Sequence, residues 1–181
     1  MSFLPPNRWR RPAIWAALAL LLGAVFSWNQ PAGAAPPLRP AAEQADFIRI
    51  EKAARRLTLL RDGTPIAVYR VALGFAPVGD KRAEGDGRTP EGRYRIDRRN
   101  DRSAFHLSLG LNYPRADQRA AARAEGRNPG GDIFIHGQPN SMPGRLTLPG
   151  DWTAGCIALS DAEIREIWSR VPIGTPVEVL P

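Results

Sequence analysis

The sequence predicts a mainly β fold, either a β-sandwich or a mixed sheet, with two flanking helices in a single domain that follows a signal peptide. Short segments alternate apolar with polar residues or lead into Gly-containing turns, which is typical of strands. Only two segments have helical character, and both lie in the C-terminal half of the chain. The first 34 residues have the three-part layout of a secretory signal.

The N-terminal segment predicts export to the periplasm or cell envelope. Three arginines between residues 8 and 11 precede an apolar run over residues 13–26, and Ala32-Gly33-Ala34 offers an A-x-A cleavage site. The run is shorter than the roughly 20 apolar residues that a spanning helix needs. Residues 1–34 are therefore predicted to be a cleaved signal peptide, with an uncleaved membrane anchor as the alternative. Three prolines then predict a short extended leader over residues 35–45.

Seven segments of the remaining chain, residues 46–181, are predicted strands. They are residues 47–51, 57–60, 66–73, 93–96, 105–111, 132–136 and 175–179. Asp62-Gly63 lies between the second and third of these segments and predicts a tight hairpin turn.

Two helices complete the predicted domain. Residues 116–125 are rich in Ala and Arg and predict a surface helix. Ser160 and Glu163 have the spacing of a capping box at the start of the second helix. Four apolar residues then follow at positions i, i+3, i+4 and i+7, which predicts a helix packed on a sheet: Ile164, Ile167, Trp168 and Val171. Pro172 and Gly174 are expected to end it.

Cys156 is the single cysteine of the chain, and His106 and His136 are its two histidines. A thiol becomes an effective nucleophile when a neighbouring group removes its proton, and histidine is the usual base. One cysteine with a distant histidine therefore points to cysteine catalysis. The alternative is a buried free cysteine that serves as a small hydrophobic residue.

The residues around both groups resemble a known family. Residues 131–159 read GDIFIHGQPNSMPGRLTLPGDWTAGCIAL, and residues 85–94 read GDGRTPEGRY. A strand that ends in His-Gly, a variable loop and a Ser/Thr-x-Gly-Cys segment, preceded by a TPEG-x-Y turn, is similar to the L,D-transpeptidase (YkuD-like) catalytic domain. The resemblance extends over roughly residues 46–180 and implies that residues 46–181 form such a catalytic domain.

The resemblance implies an exported acyltransferase that acts on peptidoglycan stem peptides containing meso-diaminopimelate. Cys156 would be the nucleophile and His136 the general base and acid. Gly155, Thr153 and His106 are expected to form the oxyanion and substrate-binding part of the site. Gly155 would leave space for the substrate backbone near the sulfur, and the amides of Gly155 and Cys156 would face the oxyanion. No cofactor and no metal are expected, because one Cys and two His form no close ligand pair.

Two positions depart from the family pattern and leave other functions open. Ala154 stands where many members have His, and Ala158 stands where many have Arg or Asn. A hydrolase of the same fold is therefore an alternative, either an L,D-carboxypeptidase or an amidase that releases a wall-attached protein. A non-catalytic wall-binding domain is the alternative from another class.

The formal net charge of +7 suits anionic polymers of the cell wall. The densest basic cluster, between Arg93 and Arg102, is interleaved with acidic residues and is followed by no aromatic stacking platform. We therefore expect no binding of nucleic acid. Contact with a membrane is expected only through the N-terminal segment if it stays uncleaved.

Overall fold

The computed structural model describes residues 33–142 and 146–181, so the predicted signal peptide lies outside the described residues except for its last two. The strands are β1 Phe47–Glu51, β2 Arg56–Arg61, β3 Thr64–Arg70, β4 Gly92–Ser103, β5 His106–Leu111, β6 Phe134–His136, β7 Ile157–Ala158 and β8 Pro176–Leu180. The helices are α1 Ala116–Ala124 and α2 Asp161–Arg170. No helix within the described ranges is long and apolar enough to cross a membrane.

All eight strands form one mixed sheet in the order β3-β2-β1-β8-β4-β5-β6-β7. Neighbours are antiparallel except for the β1–β8 and β6–β7 pairs. The β2–β3 hairpin turns at Asp62 and Gly63, which both have positive φ, as a two-residue turn of type I′ requires. The predicted mainly β class with two helices is confirmed.

The strands differ from the prediction in length at two places and in number by one. β4 runs to Ser103, seven residues beyond the predicted end at Ile96. Its arginines tolerate this position because their guanidinium groups stack on aromatic rings, Arg98 on Phe134 and Arg99 on Trp168. β3 ends at Arg70 instead of residue 73, and the two-residue strand β7 was not predicted.

The segment after β3 explains both the short β3 and the existence of β7. Ala72 and Ala158 exchange two backbone hydrogen bonds of 2.9 and 2.8 Å. Thr153 donates its N–H to the carbonyl of Leu73 and accepts from the N–H of Phe75. The chain leaving one edge strand of the sheet thus pairs with the strand at the opposite edge, so the sheet closes at the segment that carries Cys156.

Helix α2 covers the sheet as its pattern predicts. Ser160 Oγ accepts from the N–H of Glu163, and the Glu163 carboxylate accepts from the N–H of Ser160, so the capping box is present. All four residues of the apolar stripe are buried, and the helix ends before Pro172.

The predicted leader over residues 35–45 lies along helix α2 and includes one turn of 3₁₀-helix at Ala41–Glu43. The Trp168 indole donates to the carbonyl of Pro36 at 3.0 Å, and the Arg39 N–H donates to the carbonyl of Ser169 at 2.7 Å. Ala45 is buried. This segment is therefore packed on the domain.

Candidate active site

Strand pairing brings Cys156 and His136 to one face of the sheet. In the parallel β6–β7 pair, Ile135 lies opposite Ile157 and His136 opposite Ala158. Because side chains alternate along strands, the two isoleucines face the core, where both are fully buried, and His136 shares the other face with Ala158. Cys156 lies immediately before β7 and two residues before Ala158, so the same alternation, continued by one residue, would put its side chain on the His136 face.

The Cys156 sulfur lies against the chain that leads into β6. It accepts a hydrogen bond from the N–H of Phe134, and its S–H donates to the carbonyl of Asp132, both at 3.4 Å. Burial raises the pKa of the Cys156 thiol above its ordinary value, and the Phe134 N–H and the charge of Lys81 oppose that rise. The structure therefore favours a protonated thiol in the resting site.

His136 is oriented by its own neighbour in the chain. Its Nδ1 lies 2.7 Å from the carbonyl oxygen of Gly137. A carbonyl can only accept, so Nδ1 carries the proton and Nε2 is left as the basic nitrogen. Burial lowers the pKa of His136, because it disfavours the imidazolium. The group that orients the ring is thus a backbone carbonyl.

The loop that carries Cys156 is held by Thr153. Its Oγ1 accepts from the N–H of Gly155 at 3.1 Å and donates to the carbonyl of Cys156 at 2.8 Å. Thr153 is buried and therefore acts on the loop. Its expected place in the substrate-binding surface is not what its contacts show.

Gly155 has a different role from the one expected. Its φ is +135°, and a Cβ at this position would lie 2.6 Å from the carbonyl oxygen of Arg88. The space beside its Cα is thus filled by the backbone of the TPEG-containing turn and is not open to substrate. The N–H of Gly155 is paired with Thr153, whereas the N–H of Cys156 has no hydrogen-bond acceptor among the described residues. The remaining oxyanion donor is the Cys156 amide.

The turn that touches Gly155 is fixed by buried charges. Asp86 accepts from the Arg88 N–H and pairs with the buried Lys81 at 2.9 Å, and these bonds hold the pKa of Asp86 at about 2. Lys52, 2% exposed, donates to the carbonyls of Gly79 and Thr89 and pairs with Glu91 at 2.7 Å.

The loop after His136 is anchored at its first residues. Gln138 is buried, donates to the carbonyl of Leu159 and accepts from the N–H of Leu148. Its own N–H donates to the carboxylate of Asp161 at 2.8 Å. The loop that follows His136 is therefore tied to the residue after β7 and to the start of α2.

His106 lies beside this anchor. Its Cβ would be 3.0 Å from a Cβ placed on Gly137, and its Nδ1 is 4.0 Å from the Asp161 carboxylate. His106 has a positive φ of 63°, and its backbone N–H donates to the Asn140 side chain. Its Nε2 is buried with no partner among the described residues. The structure thus places His106 next to Gly137, and its part in substrate binding stays a prediction.

Two aromatic residues near His136 were not chosen as site residues from the sequence. The Phe105 ring lies 4.6 Å from the His136 ring, and the Trp152 ring approaches it edge-on at 5.8 Å. The Trp152 indole nitrogen is buried and has no acceptor within the described ranges. Phe105 falls within a predicted strand, and nothing in its pattern distinguishes it from a core residue. The position of Trp152 just before the Thr153–Cys156 segment was the available signal.

Comparison with protein families identifies the fold. The model of the YkuD family, the L,D-transpeptidase catalytic domain, matches residues 45–179. A search of curated proteins finds no match.

Solved structures agree on the fold. The helical cell shape determining protein Pgp2 of Campylobacter jejuni has a TM-score of 0.58 at 24% identity, with 74% of this chain and 46% of that chain covered. Bd1075 of Bdellovibrio bacteriovorus has a TM-score of 0.53 at 22% identity, with 83% and 53% covered. This chain thus spans about half the length of these structures. Such identities support the shared fold alone.

Proposed function

Because the chain belongs to the YkuD family of L,D-transpeptidase catalytic domains, we propose that it is an exported cysteine-dependent acyltransferase acting on peptidoglycan stem peptides. Family membership supports a peptidoglycan-related enzyme at the coarse level. The finer proposal is an L,D-transpeptidase in which Cys156 forms a thioester with the stem and His136 moves the proton.

One observation supports the proposal: the parallel pairing of β6 with β7 sets His136 opposite Ala158, two residues after the single thiol, and the contact of His136 Nδ1 with the Gly137 carbonyl leaves Nε2 free to act as a base. Within the described ranges no hydrogen bond joins Cys156 to His136. Such bonds are often long in the absence of substrate and tighten when it binds. His136 would therefore take the proton as the substrate displaces the Asp132 contact of the thiol.

The proposed reaction has two steps. Cys156 Sγ attacks the carbonyl carbon at the L-centre of meso-diaminopimelate, and its proton passes to His136 Nε2. The Cys156 N–H donates to the oxyanion. The C–N bond to D-Ala then breaks, and Nε2 returns the proton to the leaving amine. The thioester is finally attacked by the amine of a second stem, which forms a crosslink, or by water.

Hydrolysis is the second candidate because of two alanines near the thiol. Ala154 is exposed and Ala158 is buried beside His136, and neither side chain can hold an amine acceptor through a hydrogen bond. Water would then be the acceptor, and the enzyme would be an L,D-carboxypeptidase or release a protein attached to the wall.

Mass spectrometry of purified muropeptides incubated with the wild-type protein and with Cys156→Ala tests the proposal. We expect a loss of D-Ala that requires Cys156. Crosslinked dimers among the products indicate a transpeptidase, and tripeptides alone indicate a carboxypeptidase. Unchanged muropeptides in both samples contradict the donor reaction and favour a non-catalytic wall-binding domain.

A further inference from the structure

A groove of about 640 Å³ lies beside β7, and Asp151 is part of its lining. Its lining includes both residues of the bridge that closes the sheet, Ala72 and Ala158. Ala158 is two residues from Cys156, a distance of about 7 Å along a strand. A ligand group held against Ala158 in the groove would therefore lie close to the segment that carries Cys156.

Four charged residues line the groove, and two of them neutralise each other. The Arg55 guanidinium binds the Asp151 carboxylate through two nitrogens, at 2.8 and 3.0 Å. Asp151 also accepts the N–H of Leu73 at 2.9 Å. This pair is satisfied internally and serves to hold the loop that precedes Trp152.

The other two charged residues retain unused binding capacity. Arg70, the last residue of β3, is exposed and has no hydrogen bond or ion pair with a described residue. Glu163 uses one carboxylate oxygen, Oε2, in the capping box with Ser160. Its other oxygen has no hydrogen bond to the described part of the chain. Among the residues that the structure describes, the groove thus offers one cation and one carboxylate oxygen without a hydrogen-bonding partner.

We propose that this groove binds a zwitterionic amino-acid group, with its carboxylate on Arg70 and its ammonium on Glu163. This inference rests on the proposed function and deepens it. The distal end of meso-diaminopimelate in a stem peptide is such a group, and it is carried on the side chain whose backbone carbonyl Cys156 would attack. Arg70 then selects stems by the distal carboxylate. Arginine suits this task because its planar fork matches a carboxylate.

The test compares two tetrapeptide stems that differ only in the distal carboxylate of diaminopimelate, free in one and amidated in the other. D-Ala release is measured for the wild type, Arg70→Ala, Arg70→Lys and Arg123→Ala. Arg123 is an exposed arginine on α1 and lies outside the groove, so it is the matched control. Thermal melting of each variant verifies that it is folded.

We expect the wild type and Arg123→Ala to prefer the free carboxylate in kcat/KM by about tenfold, the value of one charge-assisted hydrogen bond near the surface. Arg70→Ala should lose that preference by slowing on the free stem alone, and Arg70→Lys should retain part of it. Equal loss on both stems by Arg70→Ala, or no preference in the wild type, overturns the proposal.

Glu163→Gln tests the other half of the site. Glutamine keeps the capping box but removes the charge. We expect this variant to lose the discrimination between a free and an acetylated distal amine, while its discrimination between the acid and the amide persists. If Glu163→Gln discriminates the amines as the wild type does, Glu163 is not the ammonium site.

Failure of the proposed function is recognised separately. If the wild type releases D-Ala from neither stem, the acyl-transfer proposal is wrong. The groove proposal is then tested by binding measurements alone. Calorimetry of Cys156→Ala with the free and amidated tripeptides then shows a preference of about tenfold that Arg70→Ala removes. Equal affinity for the two tripeptides overturns the groove proposal as well.

Discussion

Burial favours the neutral form of both Cys156 and His136, although the thiol ionises to an anion and the imidazole to a cation. A thiolate is disfavoured in a poorly solvated position, so the pKa of Cys156 rises, and an imidazolium is disfavoured likewise, so the pKa of His136 falls. The S–H contact with the Asp132 carbonyl adds to this, because only the protonated thiol can donate. The site therefore rests as thiol and imidazole, and a substrate must trigger the proton transfer.

The pH profile of alkylation checks this resting state. Since burial raises the folded pKa above the ordinary 9.0, the thiolate fraction at neutral pH is small, and it grows until the pH passes the raised value. We expect the iodoacetamide rate of the protein to be slow at pH 7 and to keep rising at pH values where the rate of a short unfolded cysteine peptide has already levelled off. Cys156 is the single cysteine, so the labelled site is unambiguous. A fast rate that is flat from pH 6 to 8 would instead indicate a thiolate–imidazolium pair.

Cys156 and His136 could be chosen from the sequence as the proposed nucleophile and base because the chain has one cysteine and two histidines. The place of His136 at the end of a strand could also be predicted from the sequence. The aromatic contacts of Phe105 and Trp152 with the His136 ring could not be predicted, because three separate segments meet there. The position of Arg70 in the groove could not be predicted for the same reason, since the other residues of the lining include residues of β7 and α2.

At the scale of elements, the loop carrying Cys156 depends on a close backbone approach. Gly155 has a positive φ, and the carbonyl oxygen of Arg88 lies 2.6 Å from the position that a Cβ of Gly155 would occupy. The local elements with a strong pattern, the β2–β3 hairpin and helix α2, could be predicted because turn and capping residues act within a few positions. β7 could not, since two residues carry no periodicity and the strand exists only through its pairing with β6 and Ala72.

Gly155→Ala should destabilise the domain far more than a matched glycine substitution. The variant adds backbone strain and a clash with a backbone atom that cannot rotate away, together about 3–5 kcal/mol. Gly126→Ala is the control, because Gly126 also has positive φ, at +65°, but nothing within 4 Å of its Cβ position. Its cost is about 1 kcal/mol. Urea denaturation measures both, and equal losses would mean that the Arg88 backbone yields to the added methyl group.

At the scale of the whole molecule, the closure of the sheet joins the nucleophile segment to both edges. β7 pairs with β6 on one side and with Ala72 on the other, and Thr153 bonds to Leu73 and Phe75. The sequence predicted seven of the eight strands, but a closed sheet depends on contacts between residues about 80 positions apart. Ala72 and Ala158 are both small, so the two backbones can approach without displacing side chains.

Hydrogen exchange measures how firmly the closure holds. If the closure belongs to the cooperative fold, the amides of Ala72 and Ala158 open only with global unfolding. We expect both to exchange as slowly as the amide of Leu111, which bonds to the carbonyl of Ile133 in the core. The amide of Gly126, at the exposed end of α1, should exchange much faster because a helix end frays. Exchange of Ala72 and Ala158 at the rate of Gly126 would mean that the edges part locally, and the loop carrying Cys156 would then move with them. Exchange of Ala72 and Ala158 at the rate of Leu111 would mean that the loop is a rigid part of the fold. A substrate would then have to fit the existing position of the thiol, because the loop would not move toward it.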